Sequence, residues 1–165
     1  MRRVIVVASA VALLALVNFG IHSREQLVNE GRIVLLELAP VDPRSLTQGD
    51  YMALVFCLER EAPTNAVSPG VEGGRLVVVL DANGVATYQR LDNAAPLAAN
   101  EARLRYRIRN GRVKFGTNAY FFEEGHVTDF AGARYGEFRV AADGEAILTG
   151  LRDQKLAAMG SPAKR

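Results

Sequence analysis

The chain has few of the residues that form disulfide frameworks, metal sites and histidine- or cysteine-based active sites. Its 165 residues include one cysteine, two histidines, three lysines and no tryptophan. A single cysteine, Cys57, excludes an intramolecular disulfide framework. The length suits one domain and excludes a multidomain enzyme. Because the composition points to no catalytic activity, we predict neither an enzyme nor a cofactor.

The folded part of the chain also lacks the excess of basic residues that nucleic-acid binding requires. The net charge of +2 arises from 20 basic and 18 acidic residues. Arg2, Arg3 and Arg24 are the only charged residues in the first 24 positions, so residues 25–165 carry 17 basic and 18 acidic groups. We therefore predict no nucleic-acid partner.

The sequence does have a long apolar run at its N-terminus. Val4–Ile21 comprises 18 residues without a charge, and a helix of that length measures about 27 Å, enough to span a bilayer core. Arg2 and Arg3 favour a cytoplasmic N-terminus, with the remaining chain across the membrane. We predict a signal anchor over residues 1–24. A cleaved signal peptide is the main alternative, although residues 17–20 offer no good cleavage site. A buried soluble helix is the third interpretation.

Beyond residue 24 the pattern is typical of short antiparallel strands. Apolar runs at Arg32–Leu38 and Tyr51–Leu58 precede three predicted hairpins. The hairpins centre on the turn sequences Asp81–Gly84, Asn110–Gly111 and Asp143–Gly144. This spacing predicts a small, mainly β domain, either an antiparallel sandwich or an open barrel. We expect it to occupy residues 25–159, followed by a disordered tail at 160–165.

The Asn110–Gly111 hairpin concentrates basic residues on one face. Side chains alternate along a strand, so the arginines at odd positions point away from Leu104 and Tyr106. A two-residue turn places Arg109 opposite Arg112. The resulting basic face comprises Arg103, Arg105, Arg107, Arg109, Arg112 and Lys114. One interpretation is a patch for anionic headgroups or an acidic partner. The other is a solvated sheet face balanced by acids elsewhere in the fold, or a sheet edge protected by charge.

The most distinctive motif begins at Gly49. Gly49-Asp50 predicts a turn, and the following run Tyr51–Leu58 is apolar on both faces, which predicts a central strand covered on both sides. The segment resembles the bacterial GDYXXLXY protein family, which is named for Gly-Asp-Tyr, two variable residues, Leu, one variable residue and Tyr. The matching residues are Gly49, Asp50, Tyr51 and Leu54, and Phe56 replaces the final Tyr.

A second block, Ala119–Gly125, is similar to a Tyr-Phe-x-x-Glu-Gly stretch near the end of such proteins. Its matching residues are Tyr120, Phe121, Glu124 and Gly125. The resemblance implies a small membrane-anchored bacterial protein of unknown biochemical activity, often encoded beside multi-pass membrane proteins. It therefore implies an inner-membrane protein with a periplasmic or other extracytoplasmic domain. It also implies an accessory or interaction module for a multi-pass protein.

A fainter resemblance, to type I signal peptidases, supports an alternative: a degenerate or unconventional envelope hydrolase. Leu46–Asp50, Tyr120–Phe121 and Arg134–Gly136 look similar to stretches of that family. Val41 stands where its nucleophilic serine would fall, and no lysine follows Gly49 at a suitable distance. If the fold is shared, the chemistry is lost, because a serine without a base is not an activated nucleophile.

His126 has neighbours of the types that ligate metals. Glu123, Glu124 and Asp129 lie within three residues of it, and carboxylates and imidazoles are common metal ligands. Gly125 interrupts the helix that would align these side chains. We therefore predict a solvated acidic loop and no metal site.

Overall fold

The computed structural model describes residues 2–39, 51–63, 66, 70–117, 119–122 and 126–160. Helix α1 covers Arg2–Glu30, continuing past the boundary expected at residue 24. Strand β1 begins at Arg32, so Gly31 alone separates it from the helix. Within the residues that the structure describes, no helix has both the length and the apolarity that crossing a membrane requires.

The remainder of the described chain is mainly β. Its strands are β1 (Arg32–Glu37), β2 (Tyr51–Ala53), β3 (Gly73–Leu80), β4 (Ala86–Leu91), β5 (Glu101–Arg109), β6 (Arg112–Phe115), β7 (Ala119–Phe121), β8 (Tyr135–Val140), β9 (Ala146–Arg152) and β10 (Ala158–Met159). Two short helical elements join them, α2 (Leu58–Glu61) and a 3₁₀ turn at Val127–Phe130.

The strands form three sheets, and every pairing between named strands is antiparallel. One four-stranded sheet has the order β1-β8-β9-β10, the other has the order β4-β3-β5-β6, and β2 pairs with β7. The prediction of a mainly β, antiparallel domain is confirmed. The three predicted hairpins are present as β3–β4, β5–β6 and β8–β9.

A single apolar core lies between the sheets. Leu76 and Leu104 from one four-stranded sheet and Val34 and Phe138 from the other are fully buried and belong to one cluster. Burying a side chain of this size contributes roughly 1.5–3 kcal/mol relative to leaving it in water. This shared core fixes how the two sheets present their outer faces.

The prediction of a long central strand over Tyr51–Leu58 is wrong. Regular pairing ends at Ala53, and Leu58 starts α2. Only the alternate residues Met52, Leu54, Phe56 and Leu58 are buried, and those between them are half-buried. Apolar residues on both faces suggested a strand covered twice, but the segment instead leaves its sheet and continues as a helical turn whose Glu59 reaches β6.

Gly136 in β8 is a position where the core leaves no room for a side chain. A Cβ added there would lie 2.8 Å from Phe56 Cε1 and 3.2 Å from both Leu148 Cδ1 and Phe138 Cε2. Phe56 and Phe138 are packed core rings and Leu148 packs against the same core, so these atoms have little freedom to move aside.

We expect Gly136→Ala to lower the free energy of unfolding by about 1–3 kcal/mol, the usual cost of overpacking a core. Chemical denaturation of the full chain in detergent measures this change in the free energy of unfolding. Gly150→Ala is the matched control, because Gly150 lies in the neighbouring strand β9 and its added Cβ meets nothing within 4 Å. Equal stabilities of the two variants would contradict the packing account.

Candidate functional site

The two sequence blocks, some 70 positions apart, pair with each other in the structure. In the antiparallel β2–β7 pair, Tyr51 lies opposite Phe121 and Met52 lies opposite Tyr120. We call this two-stranded sheet the motif sheet. Each block supplies the backbone partner of the other, which gives a structural reason for their joint presence in the chain.

One face of the motif sheet is aromatic, with a half-buried Tyr51 and an exposed Phe121. The rings of Tyr51 and Phe121 lie 5.8 Å apart, and Phe121 is 73% exposed. Tyr120 faces the interior, where its ring lies 5.2 Å from that of Phe130, and burial raises the pKa of its phenol. Among the large apolar residues described in the β domain, Phe121 is the most exposed, so it marks a candidate contact surface.

The other described positions of the first motif block belong to the core. Leu54 is 2% exposed and Phe56 is fully buried. The Phe56 ring packs edge-on against Phe138, with 5.3 Å between the ring centroids. A phenol here would need a buried hydrogen-bond partner. The remaining predicted motif residues, Gly49, Asp50, Glu124 and Gly125, lie outside the described residues.

The predicted register of the basic hairpin is confirmed. Arg109 pairs with Arg112, and Arg107 pairs with Lys114. Asn110 and Gly111 have positive φ angles of 52° and 68°, as a type I′ turn requires. The arginines of β5 therefore share the outer face of their sheet.

Two of the six basic residues on this face have carboxylate partners. Arg103 Nε lies 3.2 Å from Asp92 Oδ2, and its Nη2 donates to the Ala95 carbonyl at 2.8 Å. Lys114 Nζ lies 2.6 Å from Glu59 Oε2, which joins β6 to α2. These two side chains are half-buried, and we interpret them as structural.

Asp92 is the buried carboxylate that pairs with Arg103. Its side chain is 4% exposed and also lies 3.3 Å from Arg75 Nε. Burial by itself would raise its pKa, but the Ala94 amide and the guanidinium groups of Arg103 and Arg75 outweigh burial and lower the pKa. The loop that follows β4 is thereby held across Arg103, and it leaves the far end of β5 uncovered.

Glu59 is the buried member of the second pair. Its side chain is 6% exposed, and its Oε1 has no hydrogen-bond partner among the described residues. Burial raises its pKa, although the hydrogen bond and positive charge of Lys114 partly oppose that effect. Glu59 therefore neutralises Lys114 at an energetic cost in desolvation.

Four arginines remain, and we call them the arginine row: Arg105, Arg107, Arg109 and Arg112. All are exposed, and none forms an ion pair with a described carboxylate. Arg105, Arg107 and Arg109 line a groove of about 1030 Å³. Gly73 lies opposite Arg107 in β3, so no side chain from that strand fills the groove beside it.

His126 does not take part in either surface. Its Nδ1 lies 2.7 Å from Asp129 Oδ2, with both side chains more than half exposed. Within the described part of the chain, no three residues of metal-ligating type form a cluster. Glu123 and Glu124, which the sequence places beside His126, lie outside it.

A protein-family model described as GDYXXLXY protein matches residues 13–151. The chain belongs to this family. The match includes the motif sheet and the arginine row of this GDYXXLXY protein. No curated protein and no solved structure matches the chain.

Sequence reasoning missed the acidic residues that divide the basic face of this GDYXXLXY protein. Asp92 is eleven positions before Arg103, and Glu59 is 55 positions before Lys114. The only signal available was the acidic excess of residues 25–102, which have 5 basic and 11 acidic residues. That excess predicts that some basic residues of the hairpin have acidic partners, but it does not identify which residues pair.

We expect Asp92→Asn to destabilise the protein by about 2 kcal/mol at neutral pH, because hydrogen bonds to charged partners are lost. The folded-state pKa of Asp92 is lowered, so its contribution is present above the ordinary carboxyl pKa and disappears as the pH falls through the lowered value. Denaturation of the full chain between pH 7 and pH 2 should therefore show a shallower acid decline in the variant.

Glu72→Gln is the control for this experiment. Glu72 lines the groove beside the arginine row and is exposed, with no ion pair to a described residue. Parallel pH profiles for Asp92→Asn and the native chain would show that Asp92 does not hold the covering loop.

Proposed function

We propose that this GDYXXLXY protein is a membrane-anchored, extracytoplasmic interaction module of the bacterial inner membrane. It would be a non-enzymatic accessory to a multi-pass membrane protein. The observation that supports this best is the apolar surface of α1. Its exposed large apolar side chains, each 51–74% exposed, are Val6, Val7, Val11, Leu13, Leu14, Leu16, Val17, Phe19 and Ile21.

The distribution of these side chains favours insertion over lying flat on a membrane. They surround the helix and do not form a single stripe, as in a helix whose whole circumference meets an apolar environment. Ser9, a polar residue of the run, donates its hydroxyl to the Val6 carbonyl at 3.0 Å. The run also includes residues 4, 5 and 8, whose side chains lie outside the described ones.

The charges flanking the run support the proposed orientation. Arg2 and Arg3 precede it, and basic residues are enriched on the cytoplasmic side of spans. The β domain would then lie on the opposite side. In the bacterial inner membrane that side is the periplasm or its equivalent.

The described residues give little support to the alternative, a degenerate hydrolase with a signal-peptidase-like fold. Lys114 is held by Glu59. Burial, together with the carboxylates of Glu37 and Glu61, raises the pKa of the Cys57 thiol, which disfavours the nucleophilic thiolate. Ser45, the serine directly before the Leu46–Asp50 stretch, lies outside the described residues. A binding role therefore fits the described surfaces better than a catalytic one.

The exposed aromatic face of the motif sheet supports the accessory role. Phe121 is 73% exposed on the sheet that unites both motif blocks, and aromatic side chains are enriched at protein interfaces. We propose that the multi-pass partner contacts this face.

Two charges placed within the run test the anchor. We expect Leu13→Asp with Leu16→Asp to release the protein from alkali-washed membranes, because a carboxylate at the centre of a span costs about 3 kcal/mol. In the native chain, alkaline phosphatase fused after residue 165 should be active outside the cytoplasm.

His22→Asp with Asn29→Asp is the matched control, since it adds the same charges to exposed helix positions beyond the run. It should stay with the membrane. Release of the control and the test variant alike, or phosphatase activity confined to the cytoplasm, would overturn the proposed anchor.

A further inference from the structure

We propose that the arginine row binds the phosphate of anionic phospholipid headgroups in the membrane that α1 enters. The inference rests on the proposed function, since it takes α1 as the anchor. The row combines three features: charges without an ion pair to a described carboxylate, an open groove, and a near end, at Arg105, beside the turn that flanks the juxtamembrane part of α1.

The first feature is a repeated guanidinium that forms no ion pair with a described carboxylate. Arg105, Arg107 and Arg109 alternate along β5, so successive side chains on this face are about 7 Å apart. Arg109 lies directly opposite Arg112, and like charges in that arrangement destabilise a sheet. An external anion would relieve this repulsion, whereas Asp92 and Glu59 are already engaged by Arg103 and Lys114.

The second feature is the fit between the groove and a phosphate. A planar guanidinium presents paired N–H donors that match phosphate oxygens. The groove of about 1030 Å³ beside the row is bordered by Gly73, which lies opposite Arg107 on the outer face. Because Gly73 has no side chain, that position leaves space for a headgroup.

The third feature is the location of the row relative to α1. Ser23, two residues beyond the apolar run, lines a groove of about 620 Å³ together with Arg103 and Ala142. The turn that contains Ala142 continues to Gly144, whose carbonyl accepts a hydrogen bond from the Arg105 amide at 2.8 Å. The near end of the arginine row is therefore next to the turn that flanks the juxtamembrane helix.

The short connection fixes this placement. Gly31 alone joins α1 to β1, its amide donates to the Leu27 carbonyl at 2.9 Å, and its carbonyl accepts from Arg139 Nη1 at 3.1 Å. The headgroup region extends about 5–7 Å beyond the hydrocarbon core. Ser23 lies only about 3 Å beyond the apolar run along the helix axis, and it lines a groove with Arg103. This edge of the β domain therefore meets the headgroup region. An acidic protein surface would neutralise these arginines equally well. However, the short link to α1 places the β domain beside membrane lipids.

The test uses the full chain in micelles of a nonionic detergent, so its outcome does not depend on whether α1 spans a bilayer. The chain is titrated with dihexanoyl phosphatidylglycerol, and arginine Nε–H signals are followed by NMR. We expect saturable shifts from the arginine row, and we expect Arg107→Gln with Arg109→Gln to weaken binding about tenfold or more. Because this variant removes repelling charges, it should fold.

Arg60→Gln with Arg134→Gln is the matched control: both residues are exposed and outside the row, so the same charge is lost elsewhere. It should bind phosphatidylglycerol as the native chain does. Equal weakening in the two variants, or equal binding of dihexanoyl phosphatidylcholine, would overturn the proposal. Tighter binding of inorganic phosphate than of phosphatidylglycerol would also overturn it and would assign the site to a free anion. Tighter binding of a polyglutamate peptide would overturn it and would assign the site to an acidic protein. If α1 is not a membrane anchor but the arginine row does bind headgroups, the arginine NMR shifts induced by phosphatidylglycerol in micelles remain.

Discussion

The alternation of side chains along β5 determines both how this strand packs into the core and how the outer surface is charged. This strand lies between β3 and β6 in its sheet. Its even positions, including Leu104 and Tyr106, are buried in the shared core. Burying them directs every arginine of the strand outward. The core and the basic surface therefore have the same cause, and a shift of one residue in register would abolish both.

The chain neutralises only part of the surface that this alternation creates. The loop after β4 carries Asp92 to Arg103, and α2 carries Glu59 to Lys114. Both acids are almost fully buried, so they hold their elements in place. The exposed arginine row is what remains, and it lies toward the hairpin turn. The basic face therefore has two paired residues, Arg103 and Lys114, and four arginines without an ion pair to a described carboxylate.

Local chemistry made the hairpin predictable from the sequence. Asn110-Gly111 fixes the turn type, the turn fixes the register, and the register assigns each arginine to a face. The partners of Arg103 and Lys114 were not predictable, because nothing local links them to Asp92 or Glu59. The same limitation explains the error at Tyr51–Leu58. An apolar residue at every position fits a doubly covered strand, and only the tertiary pairing shows that the strand ends at Ala53.

We propose that this GDYXXLXY protein acts by binding a membrane partner and not by catalysis. The most direct measurement replaces Phe121 with a photoreactive phenylalanine in the full chain within bacterial cells, with the same probe at the exposed Gln89 of β4 as control. After irradiation, we expect a covalent adduct with a multi-pass membrane protein from position 121 and none from position 89. Equal adducts at both positions, or adducts at 121 with soluble peptides alone, would contradict it.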